Sequence, residues 1–402
     1  MIKKFVSLLS GPALAHALTI LLTPYFMSKY TPSEFGDYAF YIALLGVFLA
    51  VSSLRFDAII FACEDTEVDD IFTIGIVIAF FLSCVIFCFL FYFNYSYSTF
   101  IFFSFLSQAA LLIVTNYFLR FNKHKLVSFL KFLSIFTIPI FQLIFSYYSL
   151  DNGMILGHFI SNILFLFILI LVSFNIIKSK SILKSYSYLI KYKGFSFLNS
   201  ASVFMNSISS QILPLSIKLL FGSDLLGIIN VVQRMFVNPV NFLLRIVLQV
   251  YNKEFSEKIR SENIKTAKRY FLYTSFVCLS IVSFLYVIIF FLSDFIFDYV
   301  NLSEDSNWND FYAFIPFFVF IVLIQSLVIP VSQSLTYLGL HRRQFLIEVT
   351  RGFLFLTVIL MSYWFLEIND HQFIAIYTFI QSLSYFFLYF SIFRGFNVRR
   401  KI

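Results

Sequence analysis

The sequence predicts an all-α integral membrane protein, with twelve transmembrane helices in two six-helix lobes and both termini on the cytoplasmic side. Three observations predict it. The 402 residues are 60% hydrophobic and only 12% charged, with 59 Phe and a mean hydropathy of +0.88, which leaves too little charged surface for a water-soluble domain. Apolar runs of about 20 residues, the length that crosses a hydrocarbon core, recur along the whole chain. The gaps between them alternate in charge. Residues 178–193 (KSKSILKSYSYLIKYK), 251–270 (YNKEFSEKIRSENIKTAKRY), 341–344 (HRRQ) and 394–402 (RGFNVRRKI) are basic, whereas 293–310 (SDFIFDYVNLSEDSNWND) and 366–371 (LEINDH) hold acids and no Lys or Arg. Basic loops stay in the cytoplasm.

The apolar runs place spans near 8–29, 36–61, 71–93, 98–119, 126–148, 153–175, 194–219, 225–250, 270–292, 311–337, 345–366 and 371–393. With Lys3 and Lys4 inside, an even number of spans returns Arg399, Arg400 and Lys401 to the cytoplasm, and Lys29 is the one basic residue left in an outer loop. Residues 64–70 (EDTEVDD) break the pattern, but acids carry little weight in orientation. The first run follows a basic start, yet it is too long for a signal h-region and has no small-residue cleavage site, so it reads as the first span. Cys63, Cys84, Cys88 and Cys278 lie in or at the ends of apolar runs and predict neither a disulfide framework nor a metal site. The net charge of +8 sits in loops beside apolar runs, where it orients the chain and meets membrane lipids, which argues against a nucleic-acid partner. The sequence holds no nucleotide-binding loop, zinc motif or nucleophile triad, so no catalytic residue and no cofactor is expected.

The two lobes are read from a weak internal similarity. LLTPYFMSKYTPSEFGDY (21–38) and QILPLSIKLLFGSDLLGII (211–229) each carry a late-helix Pro (Pro24, Pro214), a short outer turn and then Gly (Gly36, Gly227). Residues 1–175 then form an N-terminal lobe and 194–402 a C-terminal lobe of the same orientation. Between them, 176–193 reads as a basic amphipathic helix on the inner leaflet, with Ile182, Leu183, Tyr186, Leu189 and Ile190 on one face.

Charges inside spans are costly and mark function. Arg55, Lys131, Lys218, Arg234, Arg245 and Arg351 stand against Asp57 and Glu348. Lys131 and Lys218 are expected to snorkel, and Glu348 and Arg351, at i and i+3, are placed to pair. On a continuous helix Arg55 and Asp57 lie about 200° apart, so each is expected to need a partner from elsewhere. The eighth span is the most specific feature: Asn230, Arg234, Asn238, Asn241, Arg245 and Gln249 fall within an arc of roughly 100° if the helix is regular, the wall of a wet cationic cavity. Asn199, Asn206 and Ser210 on the seventh span support that cavity; His16, Thr19 and Thr23 on the first add to it, and Gln108 and Asn116 are placed on an opposite wall. Pro12, Pro24, Pro214 and Pro330 are candidate hinges. A deep chamber with fixed positive charge and many amides suits an anionic, hydroxyl-rich solute, since guanidinium forks grip phosphates and amides match sugar hydroxyls.

The stretch GPALAHALTILLTPYFMSKYTPSEFGDYAFYIALLGVFLAVSSLRFDAIIFA, with its Pro24 helix end, its TPSEFGDY turn (Thr31 to Tyr38) and its LRFDAII segment (Leu54 to Ile60), resembles the start of the polysaccharide biosynthesis flippases, including the O-antigen flippases. Twelve helices and a linker after the sixth are similar to the wider multidrug, oligosaccharidyl-lipid and polysaccharide exporter superfamily. The resemblance implies a multi-pass protein of the bacterial plasma (inner) membrane that turns an undecaprenyl-diphosphate-linked oligosaccharide from the inner to the outer leaflet, in a cavity between two lobes. It further implies coupling to H+ or Na+ and work alongside a polysaccharide polymerase and chain-length machinery; Asp57 or Glu348 is the candidate coupling acid, because carboxylates inside a membrane can titrate. Three alternatives stand beside it. A drug antiporter of the same superfamily expels cations, which the cationic interior disfavours. A lipid II flippase typically has fourteen helices. A membrane-bound polymerase or ligase usually carries a large outer loop, which this chain lacks.

Overall fold

The computed structural model describes residues 2–178, 182–261, 263–300, 308, 310–364 and 368–399, and among them every regular element is helical. In chain order these are α1 (Ile2–Met27), α2 (Pro32–Leu49), α3 (Phe56–Ala62), α4 (Val68–Tyr92), α5 (Ser98–Arg120), α6 (His124–Tyr147), α7 (Gly153–Lys178), α8 (Ile182–Phe221), α9 (Ser223–Val232), α10 (Asn238–Arg260), α11 (Ile264–Val300), α12 (Phe311–Val328), α13 (Ser334–Tyr337), α14 (His341–Trp364) and α15 (Asp370–Arg399). A π-turn, Gln233–Val237, joins α9 to α10, and a 3-10 turn, Ile329–Val331, follows α12. Among the described residues nine helical stretches are long and apolar enough to cross a membrane, so the chain is a multi-pass membrane protein.

The chain falls into two compact units, Met1–Leu215 and Ser216–Ile402. The linker segment and the seventh predicted span belong to one helix, α8, which passes through Pro214; α1 likewise passes through Pro12 and Pro24. Lys3, Lys4 and the linker's Ile182, Leu183 and Tyr186 have side chains outside the described set, and Arg400 and Lys401 lie outside the described residues.

In the first unit, α5 is the central helix, packed against α2, α3, α4, α6 and α7. Ile71, Phe72, Ile101, Phe105 and Ile113 are fully buried there, and burial of such side chains supplies ~1.5–3 kcal/mol each. The TPSEFGDY turn starts α2 by a reciprocal cap: Thr31 Oγ1 accepts from the Glu34 amide at 3.3 Å and the Glu34 carboxylate accepts from the Thr31 amide at 2.9 Å, with Pro32 in the first turn. Glu34 also accepts from the Asn152 amide at 3.2 Å, tying the start of α7 to the start of α2. A polar cluster sits inside this apolar lobe. The Tyr41 hydroxyl donates to Ser104 Oγ at 2.7 Å, and the His158 ring lies edge-on to Tyr41, at 5.4 Å, and Tyr38, at 6.0 Å. Asn162 Nδ2 is 3.1 Å from His158 Nδ1 and Gln108 Nε2 is 3.4 Å from His158 Nε2. Gln108, expected on a cavity wall, is therefore engaged within the lobe.

The inner core of the second unit gathers Tyr251, Phe255, Phe271, Leu335, Ile392 and Phe396. Tyr251 stacks on Phe255 at 4.9 Å and on Tyr270 at 5.4 Å, and its hydroxyl meets Ser334 Oγ at 2.8 Å, which fixes α10, α11 and α13 to one another. Three spans depart from the sequence expectation. The run 311–337 stops being regular at Val328, because Pro330 has no N–H to continue the ladder and sits in the 3-10 turn. The runs 36–61 and 225–250 are interrupted as described next.

Candidate functional site

Residues 36–61 are two helices, not one. After Leu49 the chain makes single turns, with Ser52 N bonded to the Leu49 carbonyl at 3.2 Å, Leu54 N to Val51 at 3.0 Å and Phe56 N to Ser53 at 3.0 Å. Leu54 (φ 46°) and Arg55 (φ 65°) are left-handed, which costs roughly 1–2 kcal/mol for each side-chain-bearing residue. Contacts from other elements hold the break. Ser196 Oγ on α8 donates to the Leu54 carbonyl at 2.6 Å, and Asn116 Nδ2 on α5 donates to the Asp57 carbonyl at 3.1 Å. Ser53 Oγ donates to Asp57 Oδ1 at 2.6 Å.

That break corrects the expectation for Arg55 and Asp57. They do pair, with Arg55 Nη1 3.8 Å from Asp57 Oδ2, because Arg55 precedes α3 with a reversed backbone instead of standing on a continuous helix. Asp57 is 4% exposed; the Arg55 side chain keeps 32%. Arg55 Nε is buried without a hydrogen-bond partner among the described residues, as are the nearby Ser52 Oγ and, one turn along α8 from Ser196, Ser200 Oγ. Asn116, like Gln108, is half-buried and holds a contact within the first unit.

The acidic loop 64–70 has structural partners that its composition conceals. Arg120 donates to the carbonyls of Ile60 at 2.5 Å and Cys63 at 2.8 Å and pairs with Asp65 at 2.5 Å, while the Tyr117 hydroxyl bonds Asp69 at 2.9 Å. Glu67 is buried; it accepts from Lys191 and, at 2.7 Å, from the Tyr192 hydroxyl, both in the third turn of α8. The Lys191 bond, then the Tyr192 bond, hold the Glu67 carboxyl below the usual range. A lowered folded-state value means that the attachment is complete at neutral pH and is lost only as pH falls through that lowered value. Amide exchange over residues 187–195 is therefore expected to stay protected from about pH 8 to 5 and to rise only at more acid pH. Glu67→Gln should expose these amides throughout. Loss of protection near pH 6 in the unaltered protein would refute this anchor.

The eighth predicted span is α9, the π-turn and α10. Pro239 has no N–H and its ring crowds the Met235 carbonyl, so the preceding turn widens and Asn238 N bonds the Gln233 carbonyl, five residues back. Tyr286 on α11 donates to the Phe236 carbonyl at 2.9 Å in that turn. The extra residue breaks the single stripe expected from a regular helix: Asn230 and Arg234 precede or lie in the π-turn, and Asn238, Asn241, Arg245 and Gln249 follow it. Arg234 is 8% exposed; Asn230 and Asn241 are half-buried, each with its amide oxygen buried and unbonded among the described residues. Asn238, Arg245 and Gln249 are exposed.

Elsewhere, Asn206 is exposed on α8, one residue before Ser207, whose hydroxyl donates to the Gly46 carbonyl of α2 at 2.9 Å. Arg351 is half-buried over the Tyr385 ring at 6.0 Å. The side chains of Asn199 and Glu348 lie outside the described set. His16 is exposed. Lys218 reaches Ser223 across the α8–α9 turn. Sequence reasoning overlooked Ser53, Ser196 and Pro239. Asn238-Pro239 inside an apolar run signals the π-turn; no local signal marks Ser196, which acts 142 residues from its partner.

No protein-family profile matches the sequence. No curated protein matches it either. In fold the chain is similar to the lipid II flippase MurJ in its inward closed conformation, with a TM-score of 0.69 and 15% identity over 98% of this chain and 89% of that one. It is also similar to the inward-facing conformation of a multidrug resistance MATE family transporter of the MOP superfamily, with a TM-score of 0.61 and 13% identity over 99% of this chain and 93% of that one. The chain thus has the helical fold of these membrane transporters.

Proposed function

We propose that this protein is a flippase for an undecaprenyl-diphosphate-linked oligosaccharide, of the polysaccharide biosynthesis and O-antigen flippase family, in a bacterial plasma membrane. In this reading it has twelve spans, cytoplasmic termini and lobes of 1–175 and 194–402 joined through 176–193. The observation that carries the reading is on α10: Arg245 is exposed together with Asn238 and Gln249, beside the half-buried Asn241, on a helical stretch long and apolar enough to cross a membrane, where an unshielded cation is costly unless it faces water or an anion. Arg55, with an unused Nε–H, adds a second cation of the same kind. Arg234, Arg351, Asn199, Asn206 and Asn230 complete the substrate set, with Pro12, Pro24, Pro214 and Pro330 as hinges. Guanidinium groups hold the diphosphate bidentately, amides meet sugar hydroxyls and the polyprenyl tail stays in the bilayer. Alternating access is driven by H+ or Na+, with Asp57 or Glu348 as the coupling acid, and the product passes to a polymerase and chain-length machinery.

The test is depletion of the gene followed by measurement of lipid-linked oligosaccharide in the two leaflets. Accumulation on the cytoplasmic face, relieved by the intact gene, is the expected result. Normal arrival of unpolymerised units at the outer face would overturn the flippase reading in favour of a polymerase. A drug antiporter has the same fold, but exposed intramembrane cations repel its cationic substrates.

A further inference from the structure

We propose that residues 50–57 form a two-state element in which Arg55 is exchanged between Asp57 and the anionic head of the substrate. This rests on the reading above of Arg55 as a diphosphate-binding cation. The break between α2 and α3 and the Arg55–Asp57 pair are one event. On a continuous helix the two side chains stand about 200° apart; only the left-handed pair Leu54 and Arg55 brings them to 3.8 Å. The stretch AVSSLRFD contains neither Gly nor Pro, so its local preference is to continue the helix. What opposes that preference comes from outside: Ser196 on the Leu54 carbonyl and Asn116 on the Asp57 carbonyl, with Ser53 holding the Asp57 carboxylate. Two arrangements so balanced are readily shifted by a ligand that prefers one of them.

The pair also leaves Arg55 incompletely used. Its contact to Asp57 is a single long one, and Nε has no partner among the described residues. A diphosphate offers paired oxygens to the guanidinium fork and takes it from the carboxylate. The Asp57 carboxylate then keeps the Ser53 hydroxyl, and when the substrate leaves, Arg55 returns to it. The titratable groups on the elements packed against α3 are Arg120 and Tyr117 on α5, Asp69 and Asp70 on α4, with Glu67 just before it. Arg120 is held by the Ile60 and Cys63 carbonyls and Asp65, Tyr117 by Asp69, and Glu67 by Lys191 and Tyr192 on α8.

Calorimetric titration of the full chain in lipid nanodiscs with inorganic pyrophosphate tests the exchange. Asp57→Asn should bind roughly three- to tenfold more tightly than the unaltered protein. Ser196→Ala, which alters neither charge, should also tighten binding by releasing the break, and Leu54→Gly, which suits the left-handed backbone, should weaken it. Unchanged affinity in Asp57→Asn or in Ser196→Ala, or tighter binding in Leu54→Gly, would overturn the exchange while leaving Arg55 as an anion site. No pyrophosphate binding by the unaltered protein would remove the anion reading of Arg55 and the exchange with it.

Discussion

Arg245→Ala is expected to cut delivery of the lipid-linked oligosaccharide to the outer leaflet severely while leaving the protein folded and in the membrane. Arg245 is exposed on α10, so its removal takes no packing with it. One charge-assisted contact to a phosphate is worth ~1.5–3 kcal/mol, a loss of about 10- to 100-fold in binding. Arg234→Ala is expected to behave differently. The residue is 8% exposed, in the π-turn of the second unit. Truncation there removes buried contacts as well as charge, at a cost of ~2–5 kcal/mol in stability. Transport and thermal unfolding of the two variants, measured side by side, separate a substrate contact from a structural one. Full transport by Arg245→Ala would show that the exposed cation on α10 is not used.

Gly157→Ala is expected to cause a large loss of stability despite adding one methyl group. A Cβ at Gly157 would lie 2.7 Å from the Gln142 amide nitrogen and 2.9 Å from its Cα. Those are backbone atoms of α6, so no side-chain rotation relieves the clash and the two helices must separate. Overpacking of this kind costs ~1–3 kcal/mol or more, against the gain of ~0.5–1 kcal/mol that Gly→Ala gives in an open helix. Gly194→Ala on α8 is the control, since nothing lies within 4 Å of its added methyl. The melting temperature should fall by several degrees in the first and hold or rise slightly in the second. An unchanged melting temperature for Gly157→Ala would contradict the close packing of α6 on α7.

The all-helical membrane fold was legible because apolar runs of bilayer length announce themselves without reference to the rest of the chain. The π-turn at Gln233–Val237 was legible in part, since Asn238-Pro239 must interrupt a helical ladder. Reading the six polar positions of that span on a regular 100° wheel ignored the proline and merged Arg234, which is buried, with Arg245, which is not. The break at Leu54 and Arg55 was not legible. Its residues are ordinary helix formers, and the groups that enforce it, Asn116 and Ser196, lie 59 and 142 positions from their partners. The acidic loop 64–70 misled for a related reason: its composition opposes the charge pattern of the inner loops, yet Arg120, Lys191 and Tyr192 are its partners and come from α5 and α8.

The widened turn before Asn238 also sets how this helix can change in length. Loss of one residue from a regular membrane helix rotates everything beyond it by about 100° and turns an apolar face inward or a polar face to lipid. At 233–237 the ladder already holds one residue more than an α-turn requires. A deletion there closes the turn to ordinary geometry and leaves Arg245 and its amide neighbours on their present bearing. The second unit can therefore lose one residue at this turn without re-aiming its cation or rebuilding the bundle.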